Sequence, residues 1–476
     1  MLCHTLYGTD KTGVDAAAVA RGEAYRDFGI LTIVDRTDPE ACKPDYAGGS
    51  PLELHEIDAH RAIIIGTIRM GFGHWRIAIA LASAAHFLGY TPYLLDLMSF
   101  KGTTAAKSIK FLEYWYNTAS RFSQSWKWFN KYIWEKCTSV GGQELNSCVR
   151  ERSLSRLFSP VFANLPKDIP VLSAHPWVGH AAVLAGMKHV VSVIPDNLPM
   201  AFWLVEGSTH TVQSPSACMG YRTLIGMECK GCHIDHCLKP EEIKDAGHYV
   251  DYEITSNIEL DCSRRIARSL QKEPRRFLLT MGGAGAQAEL FAHIAVSCLE
   301  DIRQDKASLL INMGDHKGRW LNLKERFDAL GIQYQMHTDW EQTLDFIKEG
   351  ETGHISGIHV FLHEDFYAAV YATNLLMRIS DFMITKPSEL SFYPVPKLFI
   401  HRVGRHEAWG AIRGSEIGDG TIETDAEETL YRTLHELINY DDLLKLYISH
   451  IRRNNKAGLY DGAYNVVKTA AAQASD

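Results

Sequence analysis

Short apolar runs alternate with amphipathic stretches along most of the chain, and this pattern predicts an α/β fold. Residues 61–66 (RAIIIG) form an apolar run typical of a strand buried in a parallel sheet. Residues 74–87 carry apolar side chains on one face, which predicts a helix that Gly89 ends. Residues 93–97 predict the next strand. Such a strand–helix–strand unit closes right-handed, so its first turn lies at the carboxyl edge of the sheet.

A second unit of the same kind begins near Arg275. Residues 276–281 predict a strand, residues 282–286 a glycine-rich turn, residues 287–300 a helix and residues 307–313 the next strand. Further strands are predicted at 28–34, 170–173, 190–195, 209–213, 358–362, 382–384 and 397–400, and a terminal helix from Asp425. We therefore expect two Rossmann-like, doubly wound domains that face a cleft.

Composition and charge narrow the classes of function. Of the 476 residues, 46% are hydrophobic and 22% charged, as in soluble globular proteins. The net charge of -8 argues against nucleic acid as a partner, because phosphate binding relies on a basic surface. No signal peptide is recognisable at the start, and no apolar run reaches the ~18 residues of a spanning helix. The ten scattered cysteines fit a reducing compartment, so we expect a cytoplasmic protein.

Two glycine-rich turns carry candidate chemistry. The turn from Gly282 to Ala286 opens a helix, where unpaired N–H groups and small side chains let a diphosphate approach the backbone. An ordinary tight turn explains the same residues equally well. The turn from Gly71 to His74 places an imidazole at a helix start, where it can bind a substrate hydroxyl or act as a general base. A packed or capping histidine is the structural alternative.

The turn from Gly71 to His74 could also belong to a dinucleotide-binding fingerprint. A G-x-G-x-x-G fingerprint requires a third glycine where Arg76 stands, although Asp96 occupies the end of the second strand, where a ribose-binding acid belongs. The fingerprint is incomplete, and an NAD-dependent dehydrogenase is disfavoured.

A third segment follows the predicted strand at 382–384. It runs from Thr385 through Lys386 to Glu389, and a second cluster with His406 and Glu407 follows the last predicted strand. A lysine at such an edge can meet a phosphate, and carboxylates can hold ribose hydroxyls. Solvated loop charges are the alternative.

In this order, these segments resemble the MurG-like and monogalactosyldiacylglycerol-synthase-like glycosyltransferases of GT-B fold, glycosyltransferase family 28. Gly71 to His74 matches the family's G-x-G-H turn, and Gly282 to Ala286 its Gly-Gly-x-x-Gly-type loop. Ile384 to Pro387 matches the start of its Thr-Lys-Pro-Gly-Gly segment, and Gly404 to Ala411 is similar to the G-Q-E-x-x-N-A segment of the lipid-glycosylating branch. Ser388-Glu389 replaces the family's Gly-Gly, and part of the helix that follows is missing.

The resemblance implies an inverting transferase that moves a sugar from a nucleotide donor, usually UDP-linked, to a lipid or other hydrophobic acceptor, with no metal or cofactor. It implies an N-terminal extension (1–58), an acceptor-binding domain (59–265), a nucleotide-sugar-binding domain (266–424) and C-terminal helices that pack back across the domains (425–476). The implied catalytic residues are His74 and Asp196. The implied substrate-binding residues are Gly71, Phe72, Gly73, Gly282, Gly283, Ala284, Gly285, Ala286, Gly314, Thr385, Lys386, Pro387, Ser388, Glu389, His406 and Glu407.

Two alternatives stay open. The change at Ser388-Glu389 is compatible with a catalytically silent GT-B-like protein that binds a nucleotide or a partner. A nucleotide-sugar epimerase of the same two-domain architecture is the other alternative, and it would act on a free UDP-sugar.

Two further segments have competing interpretations. Residues 107–137 are rich in aromatic and basic side chains, which suits either a peripheral contact with an anionic membrane surface or two packed helices. Residues 229–237 contain Cys229, Cys232, His233, His236 and Cys237, ligand types suited to a structural zinc, although a reduced surface loop is favoured.

Overall fold

The computed structural model describes residues 14–20, 28–43, 52–69, 71–104, 106–111, 114, 144–227, 237–282, 288–402, 404–424 and 426–475. The chain divides into two compact units. The first contains Met1–Tyr252, Gly404–His406 and Asp461–Asp476, and the second contains Glu253–Val403 and Glu407–Tyr460.

Nine strands form one sheet in the described part of the first unit. They are β1 (Ala16–Ala20), β2 (Leu31–Asp35), β3 (Leu54–His55), β4 (Ala62–Thr67), β5 (Thr91–Asp96), β6 (Val171–Ser173), β7 (Val190–Val193), β8 (Thr209–Val212) and β9 (Ile243–Asp245). Their order across the sheet is β3-β1-β2-β5-β4-β6-β7-β8-β9. Strand β1 pairs antiparallel with β2 and β3, and the other pairs are parallel.

Helices cover this sheet. They are α1 (Phe72–Phe87), α2 (Asn146–Ser155), α3 (Pro176–Leu184) and α4 (Pro215–Thr223), with 3-10 helices at Leu97–Ser99, Ser159–Phe162 and Ala201–Trp203. Gly89 ends α1 with φ +85°, a conformation that suits glycine, and donates to the carbonyl of His86 while Tyr90 donates to Ala85. Helix α3 packs so closely on β4 that a Cβ at Gly66 would lie 2.2 Å from Val178 Cγ1.

The second unit contains a six-stranded, fully parallel sheet among its described residues. Its strands are β10 (Arg275–Thr280), β11 (Ala307–Asn312), β12 (Gln335–His337), β13 (Gly357–Phe361), β14 (Phe382–Thr385) and β15 (Lys397–Phe399), in the order β12-β13-β11-β10-β14-β15. The helices are α5 (Ile258–Gln271), α6 (Ala288–Ser297), α7 (Leu299–Arg303), α8 (Lys317–Ala329), α9 (Trp340–Gly350), α10 (Phe366–Ile379), α11 (Ala408–Ile417), α12 (Glu427–Asn439) and α13 (Asp442–Lys456), with a 3-10 helix at Glu389–Phe392.

Three elements complete the list. Two short helical turns, Tyr252–Thr255 and Arg405–Glu407, contain two of the four positions at which the chain passes between units. The last helix, α14 (Gly462–Ser475), belongs to the first unit, where it packs on α1 and on the sheet at β6 and β7. No helix in the described part of the chain is both long and apolar enough to cross a membrane.

The predicted fold class is confirmed: the protein is α/β, with two Rossmann-like, doubly wound domains. Its central strands β4 and β10 are buried along their whole length, as their apolar runs predict. One local prediction was wrong, and the short strands β1, β3, β9 and β12 were not predicted. The helix predicted at 287–300 is two helices, α6 and α7, separated at Cys298. The N-terminal part of the sheet also contains β1, whose sequence AAAVA lacks the alternation or bulky apolar run from which a strand is predicted.

Candidate functional site

Each sheet has a point at which its winding reverses. Strand β4 lies between β5 and β6, and β10 lies between β11 and β14. In each sheet, the strand that follows the central strand in sequence pairs on one of its sides, and a later strand pairs on the other side. In open α/β sheets, ligands bind at the carboxyl ends of the strands at such a switch point. The predicted residues group at these ends. We call His74, His175, Asp196 and Trp203 the first-sheet site, and Gly282, His316, Lys386 and Glu407 the second-sheet site.

The turn after β4 is shorter than predicted. Gly71 is the N-cap of α1, and its φ of +88° with ψ of -177° is a backbone conformation that glycine alone adopts easily. Phe72 is buried and already helical, and Gly73 follows it in the helix. His74 therefore lies in the first turn of α1, at the carboxyl edge of the first sheet.

His74 is held in one orientation by the end of β6. Its Nδ1 lies 2.8 Å from the carbonyl oxygen of Ala174, and a carbonyl only accepts, so Nδ1 carries the hydrogen. In the neutral ring, Nε2 is then the acceptor nitrogen. The ring centroid is 4.8 Å from that of His175 and 6.0 Å from that of Trp203. This is the arrangement of a histidine that can take a proton from a hydroxyl group.

Asp196 belongs to the same cluster. It follows β7, and its Oδ2 accepts a hydrogen bond from Nε1 of the fully buried Trp203 at 3.3 Å. Because the ring of Trp203 also neighbours His74, the structure brings the two predicted catalytic residues to one site, with the indole connecting them.

His175 is a member of this site that the sequence analysis missed. It is the N-cap of α3, and its Nδ1 accepts from the backbone N–H of Trp177 at 3.2 Å. Burial and the neighbouring His74 hold the pKa of His175 well below its ordinary value, so the ring stays neutral. The available signal was its position after an apolar strand and before Pro176, which marks a helix start at the carboxyl edge.

Asp96 has a structural role here. Its Oδ1 accepts from the backbone N–H groups of Met98, at 3.0 Å, and Arg69, at 3.3 Å. The acid at the ribose position of the incomplete dinucleotide fingerprint thus secures the turn after β4, which gives no support to the dehydrogenase alternative.

The second-sheet site forms where β10 and β14 end side by side. The hydroxyls of Thr280 and Thr385 are hydrogen-bonded at 2.9 Å. Beyond them, Nε2 of His316 donates to the carbonyl of Gly282 at 3.0 Å, and burial lowers the pKa of His316. The side chain of Lys386 covers Gly282 so closely that a Cβ there would lie 2.9 Å from Lys386 Cε. Gly283, Ala284, Gly285 and Ala286 lie outside the described residues.

The ammonium group of Lys386 is fixed beside the glycine. Its Nζ donates to Oε1 of Glu407, and their side chains retain only 20% and 7% of their exposure. A pair with so little exposure is costly to break, because the charge left behind has lost its water. The structure therefore holds an ion pair at the switch point of the second sheet.

The segment after Lys386 contains two further predicted residues, Ser388 and Glu389. Ser388 donates its backbone N–H to the carbonyl of Lys386, and Glu389 opens the 3-10 helix, which is a single turn. Helix α11 packs tightly on this segment: a Cβ at Gly410 would lie 2.5 Å from the carbonyl oxygen of Pro387. The short helix is thus a packed element of the unit.

Two other predicted residues lie apart from these contacts. Gly314 forms the turn after β11 with φ +63°, donating to Asn312 Oδ1 and accepting from the backbone N–H of His363. His406 falls in the first unit, where its ring lies against Gly404, whereas Glu407 falls in the second.

The two segments with competing interpretations lie largely outside the described residues. Of residues 229–237 the structure describes Cys237, which is exposed, and of residues 107–137 it describes residues 107–111 and 114. Among the described residues, no group of three or more His, Cys, Asp and Glu side chains is arranged to hold a metal ion.

Comparisons with known proteins give the following matches. Residues 7–223 match one domain of unknown function (DUF6937), and residues 238–471 match another (DUF6938). No curated protein matches the chain.

Three solved structures are similar at low identity. The UDP-GlcNAc 2-epimerase from Neisseria meningitidis bound to UDP-GlcNAc is 12% identical with a TM-score of 0.41, over 67% of this chain and 81% of its own. MnaA of S. aureus in complex with UDP is 13% identical with a TM-score of 0.41, over 81% and 90%. A glycosyltransferase from Rickettsia africae is 12% identical with a TM-score of 0.41, over 87% and 98%.

Proposed function

We propose that this protein is a GT-B glycosyltransferase that moves a sugar, with inversion, from a UDP-linked donor to a hydroxyl group of a lipid or other hydrophobic acceptor. The observation that carries the proposal is the fixed orientation of His74, whose Nδ1 donates to Ala174 and whose Nε2 is the acceptor nitrogen. The order of motifs shared with the MurG-like family supports the same assignment. A hydrophobic acceptor also implies contact with a membrane surface, for which residues 107–137 are the predicted segment.

In the proposed reaction, His74 is the general base. The acceptor hydroxyl gives its proton to Nε2 while its oxygen bonds to the anomeric carbon. The bond from that carbon to the diphosphate breaks on the opposite side, and its electron pair leaves with UDP. Asp196 acts as a positioning residue, because its hydrogen bond to Trp203 holds the indole beside the histidine. Proton transfer of this kind contributes about 10²- to 10⁴-fold in rate.

The second-sheet site supplies the donor half of the proposal. Lys386 offers an ammonium group to the diphosphate, and residues 282–286 are the phosphate-binding loop that the sequence predicts. His316 fixes the carbonyl of Gly282. Glu389 and Glu407 are the carboxylates that the sequence predicts for ribose hydroxyls, and Glu407 also accepts from Lys386. This electrostatic stabilisation needs no metal ion.

The test is acceptor-dependent release of UDP by the full chain. UDP-glucose, UDP-galactose and UDP-GlcNAc are each incubated with dioctanoylglycerol or octyl β-D-glucoside, and UDP and the glycosylated product are measured. We expect at least one pair to give equal amounts of both. Saturable UDP binding without release from any pair would favour the catalytically silent alternative. Conversion of a UDP-sugar without acceptor would favour the epimerase, and failure to bind UDP in calorimetry would contradict all three.

A further inference from the structure

The first-sheet site contains a second imidazole that the proposed mechanism does not use. His175 is only 9% exposed, and its Nδ1 accepts from the backbone N–H of Trp177. Within the described ranges, its Nε2 has no hydrogen-bond partner. This nitrogen is therefore a hydrogen-bonding group that a ligand in the first-sheet site can use.

The two histidines have opposite tautomers, and backbone groups in the segment that follows β6 set both. The carbonyl of Ala174 can only accept, so His74 carries its hydrogen on Nδ1 and its lone pair on Nε2. The backbone N–H of Trp177 can only donate, so His175 carries its lone pair on Nδ1 and its hydrogen on Nε2. An acceptor nitrogen and a donor N–H therefore occur on adjacent rings, 4.8 Å apart at 68°.

His175 is neutral, and aromatic rings lie around it. Burial and the neighbouring ring hold the pKa of His175 well below its ordinary value. The indole of Trp203 lies 6.4 Å from the ring of His175, and that of Trp177 lies 4.9 Å from it. In such surroundings hydrogen bonds are strong, and an ionised ligand would pay a large desolvation cost.

We propose that His175 is a second hydrogen-bonding residue for the acceptor, which makes the first-sheet site selective for a neutral alcohol. Its Nε2–H binds the oxygen of the hydroxyl whose proton passes to Nε2 of His74. As the proton leaves, the same N–H stabilises the charge that develops on the attacking oxygen, and His175 keeps its own hydrogen throughout. A carboxylate has no proton for His74, and an ammonium group has no lone pair for His175. This assignment rests on the proposed function.

The tautomers can be measured without any ligand. In the full chain labelled with ¹⁵N-histidine, long-range ¹H–¹⁵N correlation distinguishes Nδ1–H from Nε2–H, and the single variants His74→Ala and His175→Asn assign the signals. At pH 7 we expect Nδ1–H for His74 and a neutral Nε2–H form for His175. An imidazolium or an Nδ1–H form of His175 would overturn the proposal.

Two substitutions distinguish the helix-capping role of His175 from its role as a hydrogen-bond donor to the acceptor. Asn at position 175 retains an oxygen that can accept from Trp177 but has no group at the Nε2 position, whereas Gln places an amide N–H near that position and loses the cap. We expect His175→Asn to keep the Tm of wild type and to bind octyl β-D-glucoside at least tenfold more weakly. His175→Gln should lower the Tm and recover at least a third of the wild-type affinity. The exposed His60→Gln serves as the matched control.

The opposite pattern, with normal binding by His175→Asn and loss in His175→Gln, would show that His175 acts only as a helix cap. Wild type that binds no octyl β-D-glucoside would also overturn the alcohol assignment. Failure of the proposed function is separately visible, because it appears as absent UDP binding or absent UDP release. Calorimetry with UDP on both variants completes the comparison, and we expect their UDP affinity to equal that of wild type.

Discussion

The ammonium group of Lys386 donates to the carboxylate of Glu407, so the charge at the end of β14 is held by the residue that precedes α11. The same side chain covers Gly282 at the end of β10. Two segments that are distant in sequence thus fix one cation at the switch point of the second sheet. The proposed role of Lys386 in binding the diphosphate rests on this place beside Gly282.

Replacement of Lys386 by Met should weaken binding of the diphosphate. The variant keeps most of the aliphatic side chain over Gly282 and loses the charge, so we expect UDP affinity to fall at least tenfold, about 1.4 kcal/mol, while uridine affinity is unchanged. Isothermal calorimetry with both ligands makes the measurement. Lys317→Met, at an exposed lysine of the same unit, should bind UDP like wild type. Equal loss of uridine and UDP affinity would show that Lys386 acts on the fold and not on the phosphates.

His74→Ala should affect turnover and not donor binding. Loss of a general base costs about 10²-fold or more, so we expect kcat to fall at least tenfold while the UDP dissociation constant is unchanged. UDP release and calorimetry give the two values. The control is His60→Ala, an exposed histidine of the same unit. A His74→Ala variant with normal turnover would remove this residue from the mechanism.

Gly410→Ala should destabilise the second unit. A methyl group there would meet the carbonyl oxygen of Pro387 at 2.5 Å and the hydroxyl of Ser391 at 2.7 Å, so α11 or the 3-10 helix must move. We expect a loss of about 1–3 kcal/mol, seen as a lower Tm. Gly318→Ala is the matched control, because a Cβ at that exposed helical position meets nothing within 4 Å. An unchanged Tm for Gly410→Ala would mean that the contact between helix and segment is loose.

The second unit should lose stability as the pH falls, because its sheet buries neutral histidines. Nε2 of His337 donates to Nδ1 of His359 at 3.1 Å, since Nε2 of His359 donates to the carbonyl of Ser356. Burial and the two neighbouring histidines lower the pKa of His337 to about 4, and burial lowers that of His363 to about 4. An unfolded chain takes up these protons near pH 6.5. Between about pH 6.5 and 4 the unfolded state therefore binds more protons, and stability falls with decreasing pH.

The substitution His337→Gln tests the prediction that stability falls with decreasing pH. Glutamine keeps an amide donor but does not titrate, so the difference in Tm between pH 7.5 and pH 5 should be smaller in the variant than in wild type. The substitution His60→Gln at an exposed site should leave that difference as it is. If the Tm of His337→Gln changed with pH as much as that of wild type, the acid sensitivity would arise from other residues.

Much of the fold follows from the sequence because buried parallel strands have a simple signature. The sequences of β4 and β10 contain apolar runs. Both strands lie in the middle of their sheets and are buried on both faces. Strand β1 was missed because four of its five residues are alanine, so its position depends on pairing with β2 and β3, which local pattern does not encode.

The site was predictable where a motif is contiguous and not where it depends on a tertiary contact. Gly71 to His74 could be recognised as a unit. The importance of His175 depends on which atoms its two nitrogens meet, and a lone histidine before a proline does not reveal this. The pairing of Lys386 with Glu407 likewise depends on how α11 packs on the segment after β14.

Helix α14 contains the last part of the first unit, although the whole second unit precedes it in the chain. Its Ala463, Val466, Val467 and Ala470 are fully buried, Gln473 donates to Thr209 and Asn465 to the carbonyl of Ala246. During synthesis, the first unit therefore cannot close its core until the ribosome has passed through all of the second. A fragment ending at residue 252 would leave the apolar surface of α1 without this helix. We accordingly expect such a fragment to aggregate. A fusion that joins α14 directly to its end should remain soluble.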